Sequence, residues 1–232
     1  MKIGILGDVH GNSLALAAVL RAAADENVAK LLVTGDLVGY YFAPAEALRM
    51  LGTWDTVITR GNHEDMLAAA RADPAVLAKI GRKYGSGLAV ALEQMSGSEV
   101  DMLCSLPHPV RVELGGLRIM LCHGAPWDNN QYIYPDAGEQ LLARCTVPEY
   151  DIVVMGHTHH PMMRRIGHLT LLNPGAVGQP RNRQPGAQWA LLDSDTRDLS
   201  LRCERYDYAA VAADARARHP ELPYLADVLL RT

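Results

Sequence analysis

Short apolar runs alternate with longer helix-patterned runs over the first sixty residues. The run 14–24 consists mainly of strong helix formers, and Asn12 or Ser13 is placed to cap it. The predicted order is strand, helix, strand, helix, strand, at residues 2–6, 14–24, 31–34, 44–50 and 56–59. This order predicts a parallel sheet covered by helices.

The pattern becomes wholly helical from residue 64 to residue 106, with Ala, Leu and Met at helical spacing and three interrupting glycines. We interpret 64–106 as an inserted group of short helices beside a site. Strand patterns then resume at 110–114, 117–122, 152–155, 162–166, 169–172, 188–192 and 199–205, and further helices are predicted at 138–144, 209–218 and 222–230. Because no linker, repeat or low-complexity tract interrupts the chain, we expect one α+β domain over residues 1–232, with two sheets.

Composition and charge exclude several classes of protein. The chain has 232 residues and a net charge of −4, whereas domains that bind nucleic acid stably are usually strongly basic. The four cysteines lie far apart and form no C-x-x-C pair, which excludes zinc-ribbon and thioredoxin-like sites. The N-terminus has no signal-peptide pattern, and no apolar run is long enough to cross a membrane. A reduced, cytoplasmic protein is therefore expected. The one unusual figure is nine His against one Phe.

Polar residues cluster where the predicted strands end. Five groups follow five apolar runs, and a Gly adjoins each group: Asp8 with His10, Asp36, Asn62 with His63, His123, and His157 with His159. In an open α/β sheet, ligands bind at the carboxyl ends of the strands. We therefore expect the five groups to meet at one edge.

Seven of these side chains form a donor set for divalent metals. Two Asp, one Asn and four His offer oxygen and imidazole ligands without a thiolate, which suits Mn, Fe, Zn, Ni or similar ions. Seven donors, with a carboxylate able to bridge, favour two ions per chain. Two ions form the clamp that activates water and stabilises phosphoryl oxygens in displacement at phosphorus.

The five motifs, in this order, resemble those of the calcineurin-like metallophosphoesterase superfamily. They read Asp8-Val9-His10, Gly35-Asp36, Gly61-Asn62-His63-Glu64, His123-Gly124 and Gly156-His157-Thr158-His159. The later segment Asn173-Pro174-Gly175 through Pro180-Arg181 is similar to the small prokaryotic single-domain members, which are labelled phosphodiesterase-like or diadenosine tetraphosphatase-like. The resemblance implies a four-layer α/β/β/α sandwich of two mixed sheets flanked by helices.

The resemblance also implies a role for each site residue. Asp8, His10 and His159 would bind one metal, Asn62, His123 and His157 the other, and Asp36 would bridge them. His63 would serve as the general acid, or would stabilise the departing charge. Arg60 precedes the Gly-Asn-His-Glu motif as in Ser/Thr phosphatases, where the matching arginine contacts phosphate, a task that suits a guanidinium.

Several residues around the motifs leave two interpretations open. Tyr40, Tyr41 and Phe42 follow Asp36, where they would stack on a nucleobase or an aryl leaving group, or else form a partner interface. Asn173 and Arg181 would contact substrate, or Asn173 would only form a turn. Trp127, Tyr132 and Tyr134 would form an apolar wall for a leaving group, or would lie in the core or in an interface.

The expected activity is metal-dependent hydrolysis of a phosphodiester, a phosphomonoester or a nucleotide phosphoanhydride. A small phosphorylated molecule, including a nucleotide, is the expected partner; no membrane or stable nucleic-acid partner is expected, and homo-oligomerisation is left open. Two alternatives are a phosphoprotein phosphatase and a catalytically silent, metal-stabilised binding protein. The first is disfavoured because Leu37-Val38-Gly39 replaces the Ser/Thr phosphatase pattern after Asp36, and the second because every ligand and His63 are present.

Overall fold

A computed structural model describes residues 1–232 and contains ten strands and nine helices. The strands are β1 Lys2–Leu6, β2 Lys30–Val33, β3 Thr56–Ile58, β4 Val110–Leu114, β5 Leu117–Leu121, β6 Ile152–Val154, β7 Met162–Ile166, β8 Leu169–Asn173, β9 Ala187–Asp193 and β10 Leu199–Glu204. The helices are α1 Ser13–Asp25, α2 Pro44–Leu51, α3 Asn62–Ala72, α4 Pro74–Tyr84, α5 Gly87–Gln94, α6 Gly97–Cys104, α7 Glu139–Cys145, α8 Tyr208–Arg218 and α9 Tyr224–Leu230. None of the helices is long and apolar enough to cross a membrane.

The strands form two mixed sheets of five. The first has the order β10-β9-β1-β2-β3. In it, β1, β2 and β3 are parallel, and β9 pairs antiparallel with both β1 and β10. The second has the order β4-β5-β6-β8-β7, with β5, β6 and β8 parallel between two antiparallel edge strands. The first sheet is therefore completed by strands from the far end of the chain.

Apolar packing produces the four layers of an α/β/β/α sandwich. Ile3 and Ile5 of β1 face the other sheet and pack with Ile119 and Val154 of its central strands. Leu6 and Leu31 lie among the helices that cover the first sheet, and α7 contributes Leu142 to the core on the outer face of the second. Since β1 is buried on both faces, it reads as a continuous apolar run rather than as an alternating one.

The segment between β3 and β4 consists of the four short helices α3 to α6. They pack onto the helical side of the first sheet, where Leu67, Leu88 and Leu103 are buried. The C-terminal helices α8 and α9 pack on Tyr41 and Phe42 instead, and the Tyr41 hydroxyl donates to the carbonyl of Leu225 at 3.0 Å. These two aromatic side chains anchor the C-terminal helices, so neither is available to stack on a substrate. For Tyr41 and Phe42, the predicted stacking on a nucleobase or an aryl leaving group is therefore wrong.

Candidate metal centre

The loops that leave the carboxyl ends of five parallel strands meet at one edge of the sandwich. Asp8 and His10 follow β1, Asp36 follows β2, and Asn62 and His63 begin α3 just after β3. From the other sheet, His123 follows β5, while His157 and His159 follow β6. All eight side chains are buried, so the two sheets together enclose a polar cluster.

Six of these side chains form two groups that share one carboxylate. The first group contains Asp8, His10, Asp36 and His159; in the second, Asp36 joins His123 and His157. Within each group the ligand atoms lie within 4.8 Å of one another. The Asp36 Oδ2 atom lies 3.6 Å from His10 Nε2 and 3.3 Å from His123 Nε2. Asp36 thus stands between the groups, where a bridging ligand would be required.

Asn62 lies beside the second group through its side-chain oxygen. Its Oδ1 atom is 2.9 Å from His123 Nε2, and His157 Nδ1 is 3.1 Å from the same nitrogen. The fold therefore brings the seven predicted metal-binding residues together at one place, with Asn62 next to His123.

Three of the histidines are oriented by main-chain carbonyls. The Nδ1 atoms of His10, His123 and His159 lie 3.0 Å, 2.7 Å and 2.6 Å from the carbonyls of Val38, Thr34 and Gln179. A carbonyl only accepts, so each Nδ1 carries a proton and each ring turns its Nε2 atom toward the cluster. Metal-binding histidines in proteins are oriented in this way.

These orientations test whether the residues fit a metal. The Nε2 atoms of His10 and His159 are 3.1 Å apart, and with Nδ1 protonated neither neutral ring carries a proton to place between them. The buried Asp8 Oδ2 atom also has no hydrogen-bond partner. Buried lone pairs and a buried carboxylate oxygen that face one another need a cation, so the donor set fits divalent metal ions.

The ionisation of the cluster agrees with this fit. Burial lowers the pKa of His10 and His159 well below the usual value, which keeps both rings neutral. Burial also raises the pKa of Asp8, to about 7, and acts in the same direction on Asp36. At Asp36, however, the charges of His123 and His63 outweigh burial and hold the pKa well below its usual range. Two carboxylates packed this closely favour positive charge between them.

The His63 ring lies beside the cluster without belonging to either group. Its centroid is 4.6 Å from that of His10, and its backbone N–H donates to Asp36 Oδ1 at 2.8 Å. Burial lowers its pKa, against the opposing charge of Asp36. A Cβ at Gly39 would clash with the imidazole. Because Gly39 has no side chain, the His63 imidazole can occupy this space and face the site.

A sequence profile of the calcineurin-like phosphoesterase superfamily domain matches residues 1–197. The chain belongs to this superfamily. It is accordingly a metallophosphoesterase, a metal-dependent hydrolase of phosphoester bonds.

Individual relatives agree with this assignment to the superfamily. The phosphodiesterase YfcE of Escherichia coli K12 is 28% identical over 216 residues, covering 91% of this chain and 98% of YfcE. A metallophosphoesterase from Sphaerobacter thermophilus has a TM-score of 0.78 at 25% identity, covering 100% and 99% of the two chains. The PH1004 protein from Pyrococcus horikoshii OT3 has a TM-score of 0.83 at 21% identity over 98% and 97%, a likeness of fold alone.

The backbone of the phosphoesterase is constrained at this site. Left-handed φ angles near +50° to +65° occur at Asp8, His10, Asp36, His157 and His159. Residues other than glycine rarely adopt this region, at a cost of about 1–3 kcal/mol each. The surrounding hydrogen bonds hold these conformations, so the ligand geometry is fixed by the fold.

Glu64 is one source of this support. Its buried carboxylate accepts from the backbone N–H groups of Asp36, Leu37 and Gly61 at 2.8–2.9 Å. These three bonds tie the loop after β2 to the start of α3. The last residue of the Gly-Asn-His-Glu motif therefore positions Asp36 and Asn62.

Two predicted site residues lie away from the pocket. The Arg60 Nε atom pairs with Asp65 Oδ1 at 3.0 Å, and the Arg60 side chain does not line the cavity in front of the metal cluster, which corrects the expected phosphate contact. Asn173 is fully buried, with its amide donating to Gly156 O and Thr158 Oγ1 at 2.8 and 3.0 Å. Asn173 holds the loop that carries His157 and does not line the cavity.

Arg181 and Tyr40 do line the cavity, as a pair. The Arg181 Nη2 atom donates to the Tyr40 hydroxyl at 3.1 Å and to Gln179 Oε1 at 3.0 Å. None of its side-chain hydrogen bonds goes to a carboxylate. The Tyr40 ring packs edge-on against His10 at 4.5 Å. A half-buried guanidinium without a carboxylate thus faces the cavity beside the metal cluster.

The cavity has a volume of about 450 Å³, within the size range of small-molecule sites. Beyond the metal centre, its walls include residues that carried no sequence signal: Lys83 and Tyr84 at the end of α4, and Leu222, Tyr224 and Leu225 near α9. Tyr132 is the one member of its aromatic group on the cavity wall, with its ring centroid 3.9 Å from that of His157. Only the folded chain brings these distant segments over the site.

Proposed function

We propose that this chain is a two-metal phosphoesterase that hydrolyses a small phosphodiester or a nucleotide-type phosphoanhydride, with phosphomonoesters as further substrates. The observation that supports this most is the pair of unprotonated nitrogens of His10 and His159, 3.1 Å apart beside Asp36. Asp8, His10, Asp36 and His159 would hold one ion, and Asp36, Asn62, His123 and His157 the other. When bound, the two ions supply an activated water nucleophile and neutralise charge on the phosphoryl oxygens.

The chain's own residues would carry the other steps. Arg181 would bind a nonbridging phosphoryl oxygen, because its guanidinium faces the cavity without a carboxylate partner. His63 would donate a proton or an N–H hydrogen bond to the leaving oxygen. Tyr40, which accepts from Arg181 and packs on His10, would hold the guanidinium against the metal centre.

The walled cavity favours a small substrate over a phosphoprotein. Residues from the helical segment α3–α6 and from α9 form part of its walls, and the cavity in front of the metal centre has a volume of about 450 Å³. A phosphoserine in a folded protein would have to enter between these walls. The substrate preference should therefore favour small esters and anhydrides.

A substrate screen on metal-reconstituted protein tests this function. The panel comprises an aryl monoester, an aryl diester, a cyclic nucleotide, a dinucleoside polyphosphate and a phosphopeptide. We expect turnover of one or more small substrates above that of the phosphopeptide, and two divalent ions per chain by elemental analysis. Two bound ions without turnover of any member would instead support a binding protein.

Replacing Arg181 by Gln should raise KM about tenfold with a smaller effect on kcat, because a charge-assisted contact to the phosphate is lost in both ground and transition states. Steady-state kinetics on the best substrate measure the effect. Arg183→Gln is the matched control, since Arg183 is exposed and lies outside the cavity wall. An unchanged KM in Arg181→Gln would remove Arg181 from the substrate site.

A further inference from the structure

The cavity in front of the metal centre is aromatic and cationic. Four tyrosines line it, Tyr40, Tyr84, Tyr132 and Tyr224, together with the cations Lys83 and Arg181. The only carboxylate on its wall is Asp36, which belongs to the metal cluster. This lining suits a ligand with an aromatic ring and more than one negative charge.

One side of the cavity is marked by His63, the residue that faces the leaving oxygen under the proposed function. The Tyr84 ring lies on this side, with its centroid 6.0 Å from that of His63 and 5.9 Å from that of Tyr40. Lys83 lies farther out, with Nζ 4.7 Å from the Tyr84 ring centroid. Moving outward from the metal centre, a leaving group would meet His63, then an aromatic ring, then an ammonium group.

Lys83 lies on the cavity wall with its ammonium over the Tyr84 ring, and it forms no ion pair with a carboxylate. Its side chain is otherwise exposed, and its interaction with Tyr84 raises the pKa of Lys83. The neighbouring cation Arg82 is exposed like Lys83, but it does not line the cavity. Lys83 is thus the cation of this helix that a ligand in the cavity can meet.

We propose that Lys83 and Tyr84 form a leaving-group subsite, in which Tyr84 stacks on an aromatic leaving group and Lys83 binds a second anionic group carried by it. This inference rests on the proposed function, because the leaving-group side is defined by His63. A nucleotide leaving group has this chemistry, and so does an aryl alcohol with a carboxylate.

The subsite wall is tied to the C-terminal helices. Ser86, two residues beyond Tyr84, is 2.8 Å through Oγ from His219 Nε2, which also accepts the Ser86 backbone N–H at 3.0 Å. His219 Nδ1 in turn lies 2.9 Å from Glu221 Oε1, just before Leu222 of the cavity wall. These bonds connect the segment that carries Tyr84 to the segment that carries Tyr224, and both residues line one cavity.

Two esters that differ only in the charge of the leaving group test the Lys83 contact. They are phenyl phosphate and 4-carboxyphenyl phosphate, or their methyl diesters if the enzyme prefers diesters. The ratio of their kcat/KM values should fall about fivefold in Lys83→Gln relative to wild type, the size expected of one partly solvated ion pair. Differences in leaving-group pKa cancel because the same pair is compared in both proteins.

Arg82→Gln is the matched control, with the same loss of charge on the same helix outside the cavity. It should leave the ratio unchanged; an equal fall in both variants, or no change in Lys83→Gln, would overturn the proposal. For Tyr84, kcat/KM for both aryl esters should fall about fivefold in Tyr84→Leu, mainly through KM, and Tyr84→Phe should restore it. A failure of Phe to restore it would remove the stacking role.

The outcomes separate this inference from the proposed function. If wild-type protein with two ions hydrolyses neither ester nor any other substrate, the proposed function fails. The dissociation constants of the same two esters, measured by calorimetry, then decide the subsite: tighter binding of the carboxylated ester in wild type but not in Lys83→Gln supports it, and equal binding overturns it.

Discussion

Asp36→Asn is expected to lower kcat by about 10³-fold or more and to remove at least one metal ion per chain. Asp36 is the one side chain that stands in both ligand groups, with Oδ2 within 3.6 Å of His10 and 3.3 Å of His123. An amide of the same shape keeps the acceptor for the His63 N–H but loses the charge. A loss of several kcal/mol of metal-supplied stabilisation corresponds to about three powers of ten in rate.

Elemental analysis and steady-state kinetics on the same preparation measure both effects. Asp55→Asn provides the control, because it removes a carboxylate that is 67% exposed on the surface, paired with Lys30. Two ions and normal turnover in Asp36→Asn would show that this carboxylate does not bridge. Circular dichroism distinguishes loss of metal from loss of fold.

The clustering of the candidate metal ligands was predictable because their signal is local in the sequence. Asp8, Asp36 and His123 each follow an apolar strand run within a few residues and stand beside a glycine, so the sequence alone places them at strand ends. The parallel order of β1, β2 and β3 then brings the strand ends together without further information.

The substrate pocket was not predictable in the same way, because its walls depend on long-range packing. Tyr40, Tyr41 and Phe42 are adjacent in sequence, yet only Tyr40 faces the cavity, while the other two anchor α8 and α9. Lys83 and Tyr224 are far apart in sequence and meet only because α4 and the C-terminal helices pack over the same edge. No local pattern distinguishes such residues from ordinary helix-surface positions.

The position of Arg60 relative to the motif was not enough to predict its contacts. Arg60 directly precedes the Gly-Asn-His-Glu motif, but Asp65 on the first turns of α3 pairs with it outside the cavity. Arg181 occupies the cavity wall instead, through the loop after β8 that also orients His159 by way of Gln179. Under the proposed function, the cation that binds phosphate is therefore supplied by a different element of the same fold.

His63→Ala is expected to leave both metal ions bound and to slow turnover by about 10²–10⁴-fold for alkyl leaving groups. The imidazole belongs to neither ligand group, and its contact with Asp36 is made through the backbone N–H, which alanine retains. A 4-nitrophenolate leaving group needs little assistance from an acid, so the loss should be much smaller with 4-nitrophenyl esters. The measurement is the dependence of kcat/KM on leaving-group pKa, which should become steeper in the variant.

The control for this variant is His168→Ala, since His168 is exposed in the turn between β7 and β8. It should keep the wild-type slope. If His63→Ala instead slows 4-nitrophenyl and alkyl esters by the same factor, His63 acts by holding the site in shape, because only a group that interacts with the leaving oxygen changes its effect with the basicity of that oxygen. Equal rates with an alkyl ester in wild type and His63→Ala would remove His63 from the reaction altogether.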